Sequence, residues 1–179
     1  MLQPLGILEA ALYVSDIERA DAFYSNVLRL SRIRKKVERE VAYRLGETVL
    51  LLFRPDATAA QTDLPAHSAE GTGHLALSMC HHEIDAWRAH LQSCGVRIEH
   101  EKQWKRGGYS IYFRDPDGNC VELATANVWP DLPVNMASNH FELSAALAAT
   151  KTAPQRPQRT QSFFFVRFVF FVVKKFSRA

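Results

Sequence analysis

Glu9, His74 and Glu122 are the residues whose types and positions could together hold a metal ion. Glu9 lies on a predicted strand near the start of the chain, and His74 occupies the corresponding place 65 residues later. Glu122 lies on a later strand. Because side chains alternate across a strand, it points to the opposite face from Val121 and Leu123. A carboxylate on a half-buried strand face costs free energy unless it is paired, hydrogen-bonded or bound to a metal. One imidazole and two carboxylates leave open coordination positions, which is how catalytic metal sites are arranged.

A predicted hairpin carries Glu122. The stretch YSIYFRDPDGNCVEL contains two β-type runs, Tyr109–Arg114 and Cys120–Thr125, and the proline and glycine between them suit a reversing loop. Cys120 lies on the same strand face as Glu122 by alternation. The hairpin therefore presents an acid on one face of a sheet, with a thiol beside it that is more often inert than reactive.

The elements before this hairpin are predicted to form a unit that is then repeated. Leu5–Val14 is a strand, and the following Ser15-Asp16-Ile17-Glu18 has the form of a capping box that starts a helix. Apolar residues at three- and four-residue steps extend this helix to about Leu30. Three strands follow, near Arg32–Val37, Val41–Leu45 and Val49–Phe53. The first unit therefore reads βαβββ.

Residues 54–72 contain two prolines and few large apolar residues, which predicts a linker or a loop over the surface. The pattern then restarts with a strand over Gly73–Met79, an apolar helical stripe that Gly95 ends, a strand near Val96–Trp104 and the hairpin. Two βαβββ modules, about residues 5–57 and 71–126, are thus expected in one α+β domain over residues 1–130. We expect them to form a curved mixed sheet around a metal cleft.

Composition and charge limit the class of protein. Residues 151–179 hold seven Lys and Arg and no acidic residue, so residues 1–150 carry 15 basic and 19 acidic residues. A mildly acidic domain gives no support to a nucleic-acid partner. The three cysteines have no CxxC spacing and predict neither a disulfide framework nor a structural zinc knuckle. With no signal sequence recognisable, a cytoplasmic location is expected.

Residues 131–179 are predicted to be a flexible tail with an apolar and basic end. Phe163–Val173 (FFFVRFVFFVV) is about half as long as a membrane-spanning helix and is interrupted by Arg167, so no stable membrane insertion is expected. Two interpretations stay open. The segment makes a weak contact with a membrane surface or partner, or, as we favour, it is an aberrant, aggregation-prone terminus.

Three stretches of the chain resemble the vicinal oxygen chelate superfamily, which includes glyoxalase I, fosfomycin-resistance enzymes, extradiol dioxygenases and bleomycin-resistance proteins. They are LEAALYVSDIERADAFY, GTGHLALSM and YFRDPDGNCVEL, and the resemblance covers about residues 5–126. It implies the paired βαβββ fold and one divalent ion held by Glu9, His74 and Glu122. Zn²⁺ or Mn²⁺ is favoured, with Ni²⁺ and Fe²⁺ as alternatives. The resemblance also implies a small-molecule substrate. Because many members build each site from two subunits, a homodimer is expected.

Differences from individual members leave the reaction open. Leu51 stands where glyoxalase I enzymes carry a fourth ligand, Glu9 replaces a histidine of extradiol dioxygenases, and Ala11 replaces a threonine of fosfomycin-resistance thiol transferases. The resemblance implies a glyoxalase-like enzyme, of lyase, isomerase or thiol-transferase type, that polarises a substrate with two adjacent oxygens. The alternatives are a non-catalytic protein that binds a bleomycin-like drug and an extradiol-type dioxygenase.

Four further residues are predicted around the metal. Tyr112 could donate its hydroxyl to a developing oxyanion, while Glu122 could act as the general base once displaced from the ion. Ser110 shares the strand face of Tyr112, and Lys102 and Arg106 lie near a Gly-Gly turn where an anionic substrate could meet them. The plainer alternatives are that Tyr112 packs in the sheet and that the two cations are solvated.

Overall fold

The computed structural model describes residues 1–130 and 132, and it confirms the duplicated architecture. The first module consists of β1 (Glu9–Tyr13), α1 (Ile17–Asn26), β2 (Ser31–Lys36), β3 (Glu40–Leu45) and β4 (Thr48–Phe53). The second consists of β5 (His74–Ser78), α3 (Ile84–Ser93), β6 (Ile98–Gln103), β7 (Tyr109–Arg114) and β8 (Cys120–Ala124). A short helix, α2 (Pro55–Ala59), lies between the modules, and 3-10 turns at His81–Glu83 and Ala126–Val128 precede α3 and follow β8.

Each module forms its own four-stranded mixed sheet. The strand orders are β1-β4-β3-β2 and β5-β8-β7-β6, so the first strand of each module is an edge strand. β1 runs parallel to β4 and β5 runs parallel to β8, while the other neighbours are antiparallel. The mixed sheet that we expected is therefore present as two separately hydrogen-bonded sheets and not as one continuous surface.

The start of α1 differs from the predicted capping box. Asp16, and not Ser15, is the N-cap, and its carboxylate accepts a hydrogen bond from the backbone N–H of Arg19. Ser15 instead donates its backbone N–H and its hydroxyl to Asp117 Oδ1, at 2.8 and 2.6 Å. A contact across 102 positions in sequence therefore takes the serine out of the local cap.

The segment between the modules is more regular than predicted. Residues 54–72 were expected to be a linker or loop, but α2 forms at their start, with Pro55 in the first helical turn, where a missing N–H costs nothing. The prediction at the end of α3 is confirmed, since Gly95 follows the helix with φ of +70°. Among the described residues, no helix is long and apolar enough to cross a membrane. The predicted tail, Leu132 apart, lies outside the described residues.

One apolar core joins the two modules. It takes Leu12 and Leu52 from the first sheet, and Phe113, Val121 and Leu123 from the second, together with the apolar faces of α1 and α3. The modules approach closely at the start of β5, where a Cβ on the glycine at position 73 would lie 2.6 Å from a methyl carbon of residue 12. Because side chains alternate along a strand, the other face of each sheet points away from this core.

A buried hydrogen bond fastens α1 to the β7–β8 loop. The Tyr24 hydroxyl donates to Asp115 Oδ2 at 3.0 Å, and both side chains are buried. Asp115 also accepts hydrogen bonds from the backbone N–H groups of Asp117 and Asn119, at 2.9 and 2.8 Å. Burial, followed by the charge of Asp115, raises the pKa of Tyr24. The loop that leads into β8 is therefore held to the first module.

We expect Tyr24→Phe to lower the free energy of unfolding by about 1–3 kcal/mol, because a buried carboxylate loses a hydroxyl partner. Urea denaturation of both proteins measures the difference. Tyr13→Phe is the control, since its hydroxyl bonds to exposed His67 at 2.7 Å and its loss should cost less. Equal stability of Tyr24→Phe and the wild type would contradict this role of the bond.

Candidate active site

His74 and Glu122 lie together on the outward face of the second sheet. β5 and β8 are parallel neighbours in which His74 is opposite Cys120 and Ala76 is opposite Glu122. This register brings His74 Nε2 to 3.3 Å from Glu122 Oε2. The histidine side chain is 53% exposed and the glutamate side chain only 10%. The pair is therefore open to solvent on the histidine side alone.

The hydrogen bonding of His74 fits a ligand of a metal ion. Its Nδ1 lies 3.2 Å from the backbone carbonyl oxygen of Cys120. A carbonyl oxygen only accepts, so Nδ1 carries the hydrogen and Nε2 presents a lone pair toward Glu122. Two lone pairs at 3.3 Å repel unless a positive charge lies between them, which either a second proton on the ring or a cation supplies. A backbone carbonyl behind a metal-bound imidazole is also the usual supporting arrangement.

Tyr112 holds the other oxygen of the same carboxylate. It lies directly opposite Glu122 in the β7–β8 pairing, and its hydroxyl donates to Glu122 Oε1 at 2.9 Å. Burial, followed by this hydrogen bond, raises the pKa of Tyr112 above its ordinary value of 10.0. Tyr112 was predicted to donate its hydroxyl to a developing oxyanion, but here it donates to Glu122 and orients this carboxylate toward His74.

Glu9 does not join this pair within one chain. It lies exposed on β1, which belongs to the other sheet. Among the described residues of a single chain, Glu9 comes too far from His74 and Glu122 to complete a three-ligand cluster. Glu9 is on the face of its sheet that points away from the shared core, and so are the other two residues on theirs. His74 and Glu122, two of the three predicted ligands, therefore lie together in one chain, whereas Glu9 lies on the outward face of the other sheet.

A cavity of about 370 Å³ opens beside the Tyr112 side chain. Its walls include Cys120, which lies next to the pair. Three cationic or aromatic side chains that sequence reasoning missed also line it: His100 on β6, Trp104 directly after β6, and Arg114 on β7. Lys102 was predicted and does line this cavity, with its ammonium 5.5 Å from the centre of the Trp104 ring. The alternation of His100, Lys102 and Trp104 along one strand was the sequence signal that could have found them.

The two remaining predicted substrate residues have other surroundings. Ser110 is fully buried, and its hydroxyl accepts a hydrogen bond from Trp104 Nε1 at 2.9 Å. It therefore positions the tryptophan that forms a wall of the cavity. Arg106 is exposed on the β6–β7 loop and is not among the residues that line the cavity.

The Glu9 face of the first sheet has a different character. Leu51 and Phe53 are buried there at 6% and 7% exposure, with Ala42 beside them and Tyr13 packed against them. In the β1–β4 register, Glu9 is opposite Val49, so the carboxylate lies at one end of this apolar surface. The first module therefore offers one acid and an apolar wall, and the second offers an imidazole, an acid and cations.

Fold and site together define a known class of protein. The sequence profile of the Glyoxalase/Bleomycin resistance protein/Dioxygenase superfamily matches residues 6–123, and the chain belongs to this superfamily. The resemblance inferred from three sequence stretches is thereby confirmed.

Individual relatives cover nearly the same region. Metallothiol transferase FosB of Shouchella clausii is 29% identical over 126 residues, which are 69% of this chain and 82% of the relative. Lactoylglutathione lyase of Salmonella typhimurium is 28% identical over 131 residues, covering 68% and 93% of the two chains. A crystal structure of lactoylglutathione lyase from Agrobacterium tumefaciens shares 34% identity and a TM-score of 0.68 and covers 72% and 98%. These relatives are enzymes.

The Tyr112–Glu122 bond predicts a pH-dependent stability difference. Because the folded pKa of Tyr112 is raised, its contribution is complete below the unfolded value of about 10 and is lost as pH rises through the folded value. We expect Tyr112→Phe to be less stable than the wild type near neutral pH by about 1 kcal/mol. This gap should narrow above about pH 10. Urea denaturation of both proteins, near neutral pH and above about pH 10, measures the difference in the free energy of unfolding. A difference that stays constant or widens would contradict the assigned role of the Tyr112 hydroxyl.

Proposed function

We propose that this protein is a divalent-metal-dependent enzyme of the superfamily, with an active site shared between two copies of the chain. The observation that carries the proposal is the approach of His74 Nε2 to Glu122 Oε2 at 3.3 Å, with the other atoms of both groups already bound. Tyr112 occupies one carboxylate oxygen, and the carbonyl of Cys120 occupies the second ring nitrogen. His74 Nε2 and Glu122 Oε2 are the two donor atoms that remain to bind an ion.

A second copy would supply Glu9. The faces that carry Glu9 and His74 point away from the common core, so one chain cannot close a cleft between them. β1 and β5, the strands that carry Glu9 and His74, are edge strands of their sheets. The backbone N–H and C=O groups of an edge strand can pair with another chain. The segment before β1 also exposes large apolar side chains, with Ile7 and Leu8 at 72% and 77% and Leu5 completely exposed. Exposed apolar groups of this kind are typical of an interaction surface.

The completed donor set of one imidazole nitrogen and two carboxylates suits Zn²⁺ or Mn²⁺. When bound, such an ion acts as a Lewis acid toward a substrate with two adjacent oxygens. Tyr112 keeps Glu122 oriented, and its hydroxyl proton stays on the phenol because its pKa is raised. Glu122 or Glu9 can then take a proton from the substrate. The cavity beside them would bind the rest of the molecule, with Lys102 and His100 suited to an anionic group.

The relatives support a reaction of lyase or thiol-transferase type, since one is a metallothiol transferase and another is a lactoylglutathione lyase. A second candidate is a metal-free binding protein. The aromatic side chains that line the cavity, Trp104 and Tyr112, favour it because flat apolar ligands stack on such surfaces. Metal analysis separates the two candidates.

A hybrid dimer tests the shared site. Chains with Glu9→Ala and with His74→Ala are coexpressed with different tags, and the dimer that carries both tags is isolated. It keeps one site in which every ligand is intact. After loading with Mn²⁺, an ion that prefers oxygen and nitrogen ligands to thiolates, we therefore expect about half the Mn²⁺ of the wild-type dimer, while each variant homodimer holds almost none. Elemental analysis of the purified proteins gives the ratio.

The matched control is a hybrid of His74→Ala with Glu122→Ala. Both residues belong to the same half-site, so neither site of this dimer is complete and the dimer should bind almost no Mn²⁺. If the first hybrid is also devoid of metal, or if no hybrid can be isolated, the shared site is wrong. A wild-type protein without stoichiometric metal would instead support the binding-protein candidate.

Turnover is tested with three substrate classes: methylglyoxal with thiols, fosfomycin with thiols, and catechols. We expect the metal-loaded protein to turn over one of the two thiol-dependent pairs. Glu122→Gln should lower this turnover by at least about a hundredfold, because it removes a ligand and a proton acceptor. A chelator should abolish it. Turnover that survives metal removal, or a drug-binding equilibrium without turnover, would contradict the proposal.

A further inference from the structure

We propose a second metal site, specific for thiophilic divalent cations such as Zn²⁺, at the start of α3, with Cys80, His82 and Glu83 as its ligands. One ligand atom from each residue lies within 4.8 Å of the other two. No other group of three His, Cys, Asp or Glu residues converges in this way in the described part of the chain. The site lies on different elements from His74 and Glu122 and does not depend on the proposed active site.

Local structure brings these three residues together. The 3-10 turn at His81–Glu83 folds the chain back at once after β5, so residues only two and three positions apart face one another. The backbone N–H of Cys80 donates to Glu83 Oε2 at 3.2 Å, and the Cys80 sulfur accepts from the backbone N–H of Glu83. This reciprocal pair holds the thiol and the carboxylate on one side of the turn. His82 is exposed and its ring is free to rotate toward them.

The donor chemistry favours zinc. A thiolate, an imidazole and a carboxylate are all established zinc ligands, with bonds of about 2.0–2.3 Å, and three protein ligands leave a fourth position for water. Two ionised ligands neutralise a divalent ion, so the partial positive charge of the helix N-terminus does not repel the complex. Burial, followed by Glu83, raises the pKa of the Cys80 thiol. Metal binding would therefore release the thiol proton to solvent as the sulfur–metal bond forms.

The repeat shows that the fold needs neither a thiol at the position of Cys80 nor an imidazole at that of His82. The corresponding positions of the first module are Ser15, Ile17 and Glu18. Ile17 is a core residue at 1% exposure, whereas His82 is exposed on the surface of the second module. The first module starts its helix without a thiol or an imidazole, so a βαβββ unit can be built without them.

The site also has an opening toward solvent. His82 lies on the wall of a cavity of about 410 Å³ at the start of α3, which Asp85 and Tyr109 also line. Of the three proposed ligands, His82 is the one that lines this cavity, so an ion could reach the site from this side.

Cobalt(II) substitution of the full-length protein gives a direct test, because only a thiolate ligand produces a near-ultraviolet sulfur-to-cobalt charge-transfer band. The proposed active site contains no thiolate among its ligands. We expect the band in the wild type and in Glu122→Gln, its loss in Cys80→Ser, and its displacement by Zn²⁺. His82→Ala should weaken cobalt binding at this site by about tenfold or more. The serine in Cys80→Ser can still cap the turn, so the fold should be retained.

Cys94→Ser is the matched control. Cys94 is exposed and its sulfur lies 3.7 Å from a ring nitrogen of His90, so it offers a second cysteine–histidine pair without a carboxylate. The band should be unaffected by this change. Absence of the band from the wild type, its persistence in Cys80→Ser, or its loss in Cys94→Ser or Cys120→Ser in place of Cys80→Ser would overturn the proposal. Loss in Glu122→Gln would also overturn it, while failure of the hybrid-dimer test leaves it untouched.

Discussion

The structure depends on a single apolar core that two sheets and two helices share. Each sheet can cover only one of its faces in this way, and the buried residues Leu52 of the first sheet and Val121 of the second belong to those faces. Because side chains alternate along a strand, the residues next to these core residues point to the outward faces of the sheets. Glu9 and Glu122 are among them. The chain thereby gains two prepared surfaces that a single copy cannot bring together. The shared site that we propose would be a consequence of how the core is built.

The polar contacts between the modules stabilise the same hairpin that bears the chemistry. Asp115 and Asn119 lie in the loop between β7 and β8, and their side chains bond to Tyr24 and to the backbone of Tyr13 in the first module. The buried Asp115 and Asn119 side chains are hydrogen-bonded to the first module and to each other, which leaves the loop few alternative conformations. The register of the two strands is consequently well determined, and it is this register that places Tyr112 opposite Glu122. Contacts far from the site therefore help to orient the Glu122 carboxylate.

Local patterns in the sequence predicted the strands well, because apolar periodicity and turn residues act over short ranges. The bounds of the hairpin and the duplicated order of elements follow from such signals. The approach of His74 to Glu122 was instead predicted from the repeat and from the family resemblance, which also placed Glu9 beside them. Ser15 was assigned to a helix cap because nothing local shows the competing carboxylate of Asp117. Ser110 was assigned to the substrate because its burial depends on how Trp104 folds over it. The relative orientation of the two modules is also a property of the whole core, and no short window of sequence contains it.

The two surfaces of the proposed shared site differ in polarity, and this difference bears on its electrostatics. The face around Leu51 and Phe53 is apolar, whereas the face around Glu122 carries the ionisable groups. If the first covers the second, water is displaced from the carboxylate, and every interaction of its charge becomes stronger because the local dielectric falls. A leucine at position 51 adds no ligand but does exclude water. In the proposed shared site, an apolar residue at position 51 would leave a coordination position open for substrate. By excluding water it would also strengthen the binding of the ion by Glu9, His74 and Glu122. The absence of a fourth ligand would then change the role of this wall without removing the site.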